Sequence, residues 1–275
     1  MITKVSTVII LIQLFIGSYS FDYNFPNEWA NDGNICNGRG QSPIDINITN
    51  IVRNRVDNKI KLSNYWEVPS EMTLTNNGHS VQVSAKWPNG LIPSISGGLR
   101  KNQYVFDSLH FHWSQADNSG TEHSINGKRF ALEMHLVHYS KNYGSVSNAQ
   151  KYSDGITVIG LIFQIDDVAE WTLSTIVNQL KHVTKKGQTV KINPFPLTMF
   201  NLDREDLFIT YEGSLTTPPC SQAVTWLLPM NFRYLTNNQI KAFRNIELDF
   251  GNKANVRPLQ PLNQRLQYFV ELDNN

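Results

Sequence analysis

Two of the seven histidines stand two apart in the run Leu109-His110-Phe111-His112-Trp113. Residues at that spacing on an extended strand project from the same face, so His110 and His112 can address one metal ion. A third imidazole has to come from a neighbouring strand. The segment Glu133-Met134-His135-Leu136-Val137-His138-Tyr139 offers two. His135 shares a face with Glu133, Val137 and Tyr139, whereas His138 lies on the other, and spacing leaves both open. Three neutral imidazoles suit zinc and leave its fourth tetrahedral position to water, the arrangement of a catalytic rather than a structural site. A His-x-His strand is by itself a weak signal, because half-buried histidines that bond locally have the same pattern.

The elements that must carry these residues read mainly as strands. Short apolar or alternating runs bounded by turn residues span Ser80 to Ala85, Ser108 to Trp113, Phe130 to Tyr139, Ile156 to Ile165 and Ala223 to Pro229, and together they predict a large sheet. Helical periodicity is clear in two places: Leu173, Ile176, Val177 and Leu180 after Asp166-Asp167, and Ile240, Phe243 and Ile246 after a Thr236 cap.

A basic start at Met1 to Lys4 precedes an apolar run from Val5 to Ile16 and the small-residue stretch Gly17-Ser18-Tyr19-Ser20. The run is short for a bilayer span and fits a signal peptide, residues 1–20, with cleavage after Ser20. No second long apolar run follows, so the mature chain, 21–275, is expected to be soluble and secreted. Its length of about 255 residues, without linker, repeat or low-complexity segment, favours one domain. Removal of residues 1–20 takes away only Lys4, leaving 23 basic and 23 acidic residues. That balance argues against a nucleic-acid partner, which calls for a clustered basic excess. Cys36 and Cys220 are the only cysteines, and an even count in an oxidising compartment favours one bridge. Asn47-Ile48-Thr49 is a glycosylation sequon at Asn47.

These residues resemble the alpha-class carbonic anhydrases, of the secreted type, from about Tyr23 to the C-terminus. The resemblance is carried, in order, by Gln41-Ser42-Pro43-Ile44-Asp45-Ile46, Asn76-Asn77-Gly78-His79, the His110–His112 strand, Glu122-His123-Ser124 and the Glu133–His138 strand. Gly213-Ser214-Leu215-Thr216-Thr217-Pro218-Pro219-Cys220 and Asn255-Val256-Arg257-Pro258 complete it. Each motif alone is ambiguous; their joint order is specific. It implies a mainly β (α+β) single domain built on a large, mostly antiparallel, twisted central sheet with a few peripheral helices. It also implies a zinc enzyme that hydrates carbon dioxide reversibly to bicarbonate and a proton by attack of zinc-bound hydroxide, acting as a monomer on a small-molecule substrate.

The same match assigns roles residue by residue. His135 becomes the third ligand with Glu133 as its carboxylate partner, a contact of the kind that fixes the tautomer and raises basicity. His138 and His123 become structural, and His182 a surface residue. Thr216 and Glu122 would orient the nucleophile. Val137, Val158, Leu215, Thr217, Val224 and Trp226 would line the carbon dioxide pocket. His79 would shuttle protons to solvent along water ordered by Tyr23, Asn77 and Gln82. The Cys36–Cys220 bridge would anchor the loop bearing Thr216, and the bonds Ser42–Pro43 and Pro218–Pro219 would be cis.

Two positions depart from the family pattern. Many members carry a glutamine beside the outer ring nitrogen of the first ligand; here the residue is Ser108, too short for that reach, which leaves His110 to water. The segment Tyr23 to Trp29 is also more compact than usual. The competing expectation is a carbonic anhydrase-like extracellular binding or matrix module without catalysis, but such relatives usually lose a zinc histidine, and all three are present.

Overall fold

The computed structural model describes residues 21–31, 33–51, 56–167 and 171–273; the signal peptide read at residues 1–20 lies outside them. Twelve strands of the described residues form one sheet. Its spine runs Thr189–Ile192, Glu71–Asn76, Val81–Lys86, Tyr104–Trp113, Leu132–Ser140, Ile156–Ile165, Val224–Pro229, Leu207–Gly213 and Tyr268–Glu271. Pairing is antiparallel throughout the spine except between Ile156–Ile165 and Val224–Pro229, which run parallel. The short strand Arg233–Leu235 also joins Ile156–Ile165 in parallel.

Alternation along the central strands separates two cores. Leu109, Phe111, Trp113, Met134, Leu136, Ile159 and Leu161 pack on one face. Val137, Val158, Tyr211, Val224, Trp226 and Leu228 form a smaller cluster on the other. The opposite-face histidine, His138, is wholly buried, with Tyr65 Oη 2.7 Å from its Nε2 and the Leu136 carbonyl 3.0 Å from its Nδ1. Burial pushes its pKa down to about 3. It is a neutral core histidine on the side away from His135.

The helices are few and peripheral. Asn237–Arg244 begins with a capping box, in which Thr236 Oγ1 accepts from the Gln239 N–H and Gln239 Oε1 accepts from the Thr236 N–H. Its apolar residues Ile240 and Phe243 are buried. The other predicted helix is shorter than its periodicity suggests: Trp171–Val177 is helical, and Leu180–His182 forms a separate 3-10 turn, with His182 exposed. The Tyr104–Trp113 strand starts four residues before the sequence-predicted Ser108 and contains a bulge, with the register shifting between Phe106 and Ser108.

Candidate active site

Antiparallel pairing of the Tyr104–Trp113 and Leu132–Ser140 strands sets His110 opposite His135 and His112 opposite Glu133. All four side chains therefore share the smaller-core face. The ligand nitrogens of His110, His112 and His135 lie within 4.8 Å of one another. Space for this cluster depends on Gly160, the partner of His135 on the next strand. A Cβ there would come within 2.7 Å of Leu228 Cδ2 and 3.3 Å of Glu133 Oε1.

Two of the three rings are turned by their outer contacts. His112 donates Nδ1–H to the Asn255 carbonyl at 2.7 Å, which leaves Nε2 facing the cluster. His135 donates Nε2–H to Glu133 Oε1 at 2.7 Å, which leaves Nδ1. Burial lowers the pKa of all three rings, to about 3 at His110, helped by the neighbouring imidazoles at His110 and His112 and opposed by Glu133 at His135, so they are neutral near pH 7 with lone pairs available. His110 alone of the three is partly open to solvent, and the site is reached from its side.

Ser108 does not assist His110. Its hydroxyl donates to Asp107 Oδ2 at 2.8 Å.

Whether a metal suits this centre is tested by two buried atoms without hydrogen-bond partners, His112 Nε2 and Glu122 Oε2. They lie 3.5 Å apart, and Glu122 Oε2 is 4.0 Å from His135 Nδ1. Buried polar atoms are seldom left unsatisfied, and the unpartnered imidazole nitrogen beside the two other rings is a donor that a divalent cation takes. A second group, His123, Glu133 and His135, is also close enough to hold a metal. Its donor atoms, however, are already bonded to one another, with His123 Nδ1 and His135 Nε2 each 2.7 Å from Glu133 Oε1. The three-histidine set fits an ion; the second group does not.

Glu133 is fully buried and takes four hydrogen bonds, two at Oε1 from the rings and two at Oε2 from the Glu122 and His123 N–H groups at 2.8 Å. Burial alone would raise its pKa, but His123 and His135 outweigh that and hold it well below the usual carboxylate range. The chain of contacts continues from His123 Nε2 to Tyr211 Oη at 2.7 Å and on to Ser42 Oγ at 2.8 Å. Glu122 behaves oppositely: burial and the Glu133 charge push it up to about 8, against the Thr216 hydroxyl and Arg257, which pull it down. Its Oε1 accepts the Arg257 N–H at 3.0 Å. Its Oε2 has no hydrogen-bond partner.

Beside the histidines, Val137, Val158, Val224 and Trp226 are buried together, with Leu215 packed against them. Thr217 is half-buried on the Thr216 loop, and its carbonyl accepts the Cys220 N–H. That loop is tied at its end by the Cys36–Cys220 disulfide, and the Ser42–Pro43 and Pro218–Pro219 bonds are cis. His79 closes the Asn76–His79 turn, its N–H donating to Asn77 Oδ1 at 2.9 Å. Asn77 Nδ2 donates to Gln82 Oε1 at 3.3 Å, and Gln82 is paired with His110 in the sheet. Burial, and after it Glu122, raises the pKa of Tyr23. Asn47 Oδ1 accepts from the Thr49 N–H and hydroxyl.

The residues missed by sequence reasoning are those that brace the site. Asn255 also accepts the Trp113 N–H and donates to the His79 and Phe111 carbonyls. Arg257, buried, donates to Gln41 Oε1 and to the carbonyls of Ser42 and Cys36. Polar residues in the Asn255–Pro258 and Gln41–Ile46 motifs were the available signal, but which atoms they would hold is a matter of long-range contact.

A twisted, largely antiparallel sheet bears three inward histidines that could hold a metal ion, with a buried glutamate behind one of them and an apolar wall beside them. The sequence profile of the eukaryotic-type carbonic anhydrases matches residues 24–269, and the chain belongs to that family. Among its relatives, Carbonic anhydrase 6 of Mus musculus is 34% identical over 258 residues, covering 90% of this chain and 79% of the mouse protein. Carbonic anhydrase 6 of Homo sapiens is 32% identical over 251 residues, covering 86% and 78%. The disulfide is what an extracellular compartment permits, in keeping with a secreted enzyme.

Proposed function

We propose that the protein hydrates carbon dioxide reversibly to bicarbonate and a proton, with zinc held by His110 Nε2 or Nδ1, His112 Nε2 and His135 Nδ1. The observation that carries this reading is the convergence of three neutral imidazoles within 4.8 Å, one of them with a buried, unpartnered nitrogen. Zinc at such a site supplies a Lewis acid that lets bound water ionise near neutral pH, and carbonic anhydrase is itself the standard example of the effect. Glu133 fixes the His135 tautomer and Asn255 that of His112. Thr216 gives its hydroxyl proton toward Glu122 and turns its oxygen lone pair to the nucleophile, aiming it at the substrate carbon. Val137, Val158, Leu215, Val224 and Trp226, with Thr217 at their edge, offer uncharged carbon dioxide a dry wall. His79 accepts the released proton by way of water near Tyr23, Asn77 and Gln82 and passes it to buffer. The chain acts as a secreted monomer.

Stopped-flow hydration on the zinc-loaded mature protein tests the reading, with a chelated sample and His135→Ala alongside. Fast hydration that is lost in both controls supports it. A folded protein that holds zinc and does not hydrate carbon dioxide would sink it.

A further inference from the structure

His79 is held more tightly than a surface histidine in an Asn-Asn-Gly-His turn needs to be. Its ring stacks on Phe21, centroids 4.0 Å apart and planes 16° from parallel. Its Nε2 lies 3.8 Å from Asp249 Oδ2, and both side chains are mostly covered, at 20% and 16% exposure. Asp249 is fixed in turn. Lys186 Nζ is 2.5 Å from the same Oδ2, and the Asp249 N–H donates to the Gly78 carbonyl at 2.7 Å. Gly78, at φ +90°, leaves no room for a side chain, since a Cβ would meet Asp249 Oδ2 at 2.6 Å. The turn that presents His79 is therefore built around the Asp249 carboxylate.

We propose that Asp249 is a positioning residue of the proton path: with Phe21 it holds the His79 imidazole in one orientation and gives the ring's charged form an anionic partner at Nε2, while Lys186 moderates that partner. The proposal rests on the shuttle reading above. In each cycle neutral His79 gains one proton from the water on its inner side and carries N–H at both nitrogens. The Nε2–H then faces Asp249, and a buffer base removes one proton to restore the neutral ring. Asp249 ends the cycle unchanged. The opposing influences on His79 agree with this arrangement: burial lowers its pKa, Asp249 raises it, and Lys186 lowers it again. The other ionisable groups on the segments packed around it are Asp22, Tyr23 and, in a mature chain that starts there, the Phe21 α-amino group, with Lys185 next to Lys186 and Glu247 before Asp249. Asp22 is occupied with the Asn24 N–H.

The test uses the zinc-loaded mature protein with Asp249→Asn, Lys186→Met, the double variant and His79→Ala. His79 titration is followed by NMR of its ring protons, and hydration is measured at low and high imidazole buffer. Two opposite charges 3.8 Å apart predict that Asp249→Asn lowers the His79 midpoint by about one pH unit. Lys186→Met should raise it, and the double variant should fall between. At low buffer kcat should drop about three- to tenfold in Asp249→Asn, more than kcat/KM, and high imidazole should restore it. A folded Asp249→Asn protein with wild-type midpoint and kcat overturns the proposal. So do single variants that move the midpoint in the same direction, because packing rather than charge would then be at work. If His79→Ala keeps wild-type kcat at low buffer, the shuttle reading falls instead, and that failure is recognised without reference to Asp249.

Discussion

Replacing Glu133 by Gln changes one atom and should cost the metal site dearly. The carboxylate accepts four hydrogen bonds at 2.7–2.8 Å, two from backbone N–H groups and two from ring nitrogens. An amide can keep its oxygen on the two backbone donors only by pointing its NH2 at His123 Nδ1 and His135 Nε2. Both nitrogens must then become acceptors. His123 can comply by carrying its proton on Nε2, where Tyr211 Oη, 2.7 Å away, can accept it. His135 cannot comply without loss, because its proton moves to Nδ1, the nitrogen turned to His110 and His112. The reverse amide orientation sets NH2 against two N–H donors and is worse. Loss of such a partner weakens metal binding about 10- to 100-fold, or roughly 1.4–2.7 kcal/mol, and four charge-assisted bonds place the expectation toward the upper end. Zinc affinity measured by chelator competition, with thermal unfolding as a control for folding, reads this directly. A folded Glu133→Gln protein that binds zinc within about threefold of wild type would refute the tautomer argument.

Four further expectations accompany it. His79→Ala should lower kcat about tenfold or more at low buffer, with recovery on adding imidazole; no recovery would mean that His79 is not in the path. Val158→Tyr crowds a nearly fully buried position between Val137 and Trp226. It should cut hydration roughly a hundredfold while costing stability only about 1–3 kcal/mol; retained turnover would remove these residues from the substrate wall. Reducing Cys36–Cys220, which closes a separation of 184 residues, should cost about 5 kcal/mol in the chain-entropy model. The melting temperature would then fall by roughly 10–20 °C, and an unchanged melt under reductant counts against that estimate. His138 has its pKa depressed to about 3 when folded, against about 6.5 when unfolded. The unfolded chain therefore binds the extra proton: this contribution is intact above pH 6.5 and is lost as pH falls toward 3. Its slope is about 1.4 kcal/mol per pH unit; His138→Gln should flatten the curve by that amount in denaturant titrations across the window, and an unaltered slope would refute it.

The sequence by itself determined the parts whose signals are local. A short apolar run bounded by turn residues made Ile156–Ile165 legible to the residue, and the spacing of Ile240, Phe243 and Ile246 after a Thr236 cap marked the Asn237–Arg244 helix. His-x-His spacing put His110 and His112 on one face. Where a signal was local but incomplete, boundaries slipped: the strand through Ser108 begins at Tyr104 because a bulge at Asp107 breaks the alternation. The choice between His135 and His138 needed a resemblance, since a strand exposes both faces equally to inspection. Tertiary structure made that choice physical through register, which sets His135 opposite His110 and sends His138 to Tyr65. Only the fold could gather Glu133, His123, Tyr211 and Ser42 into one chain of contacts, or bring Asp249 to His79 from 170 positions along the sequence. Side-chain types and periodicity are properties of neighbours along the chain. Hydrogen-bond partners, burial and the pKa values that follow from them belong to neighbours in space, which the packed chain alone supplies.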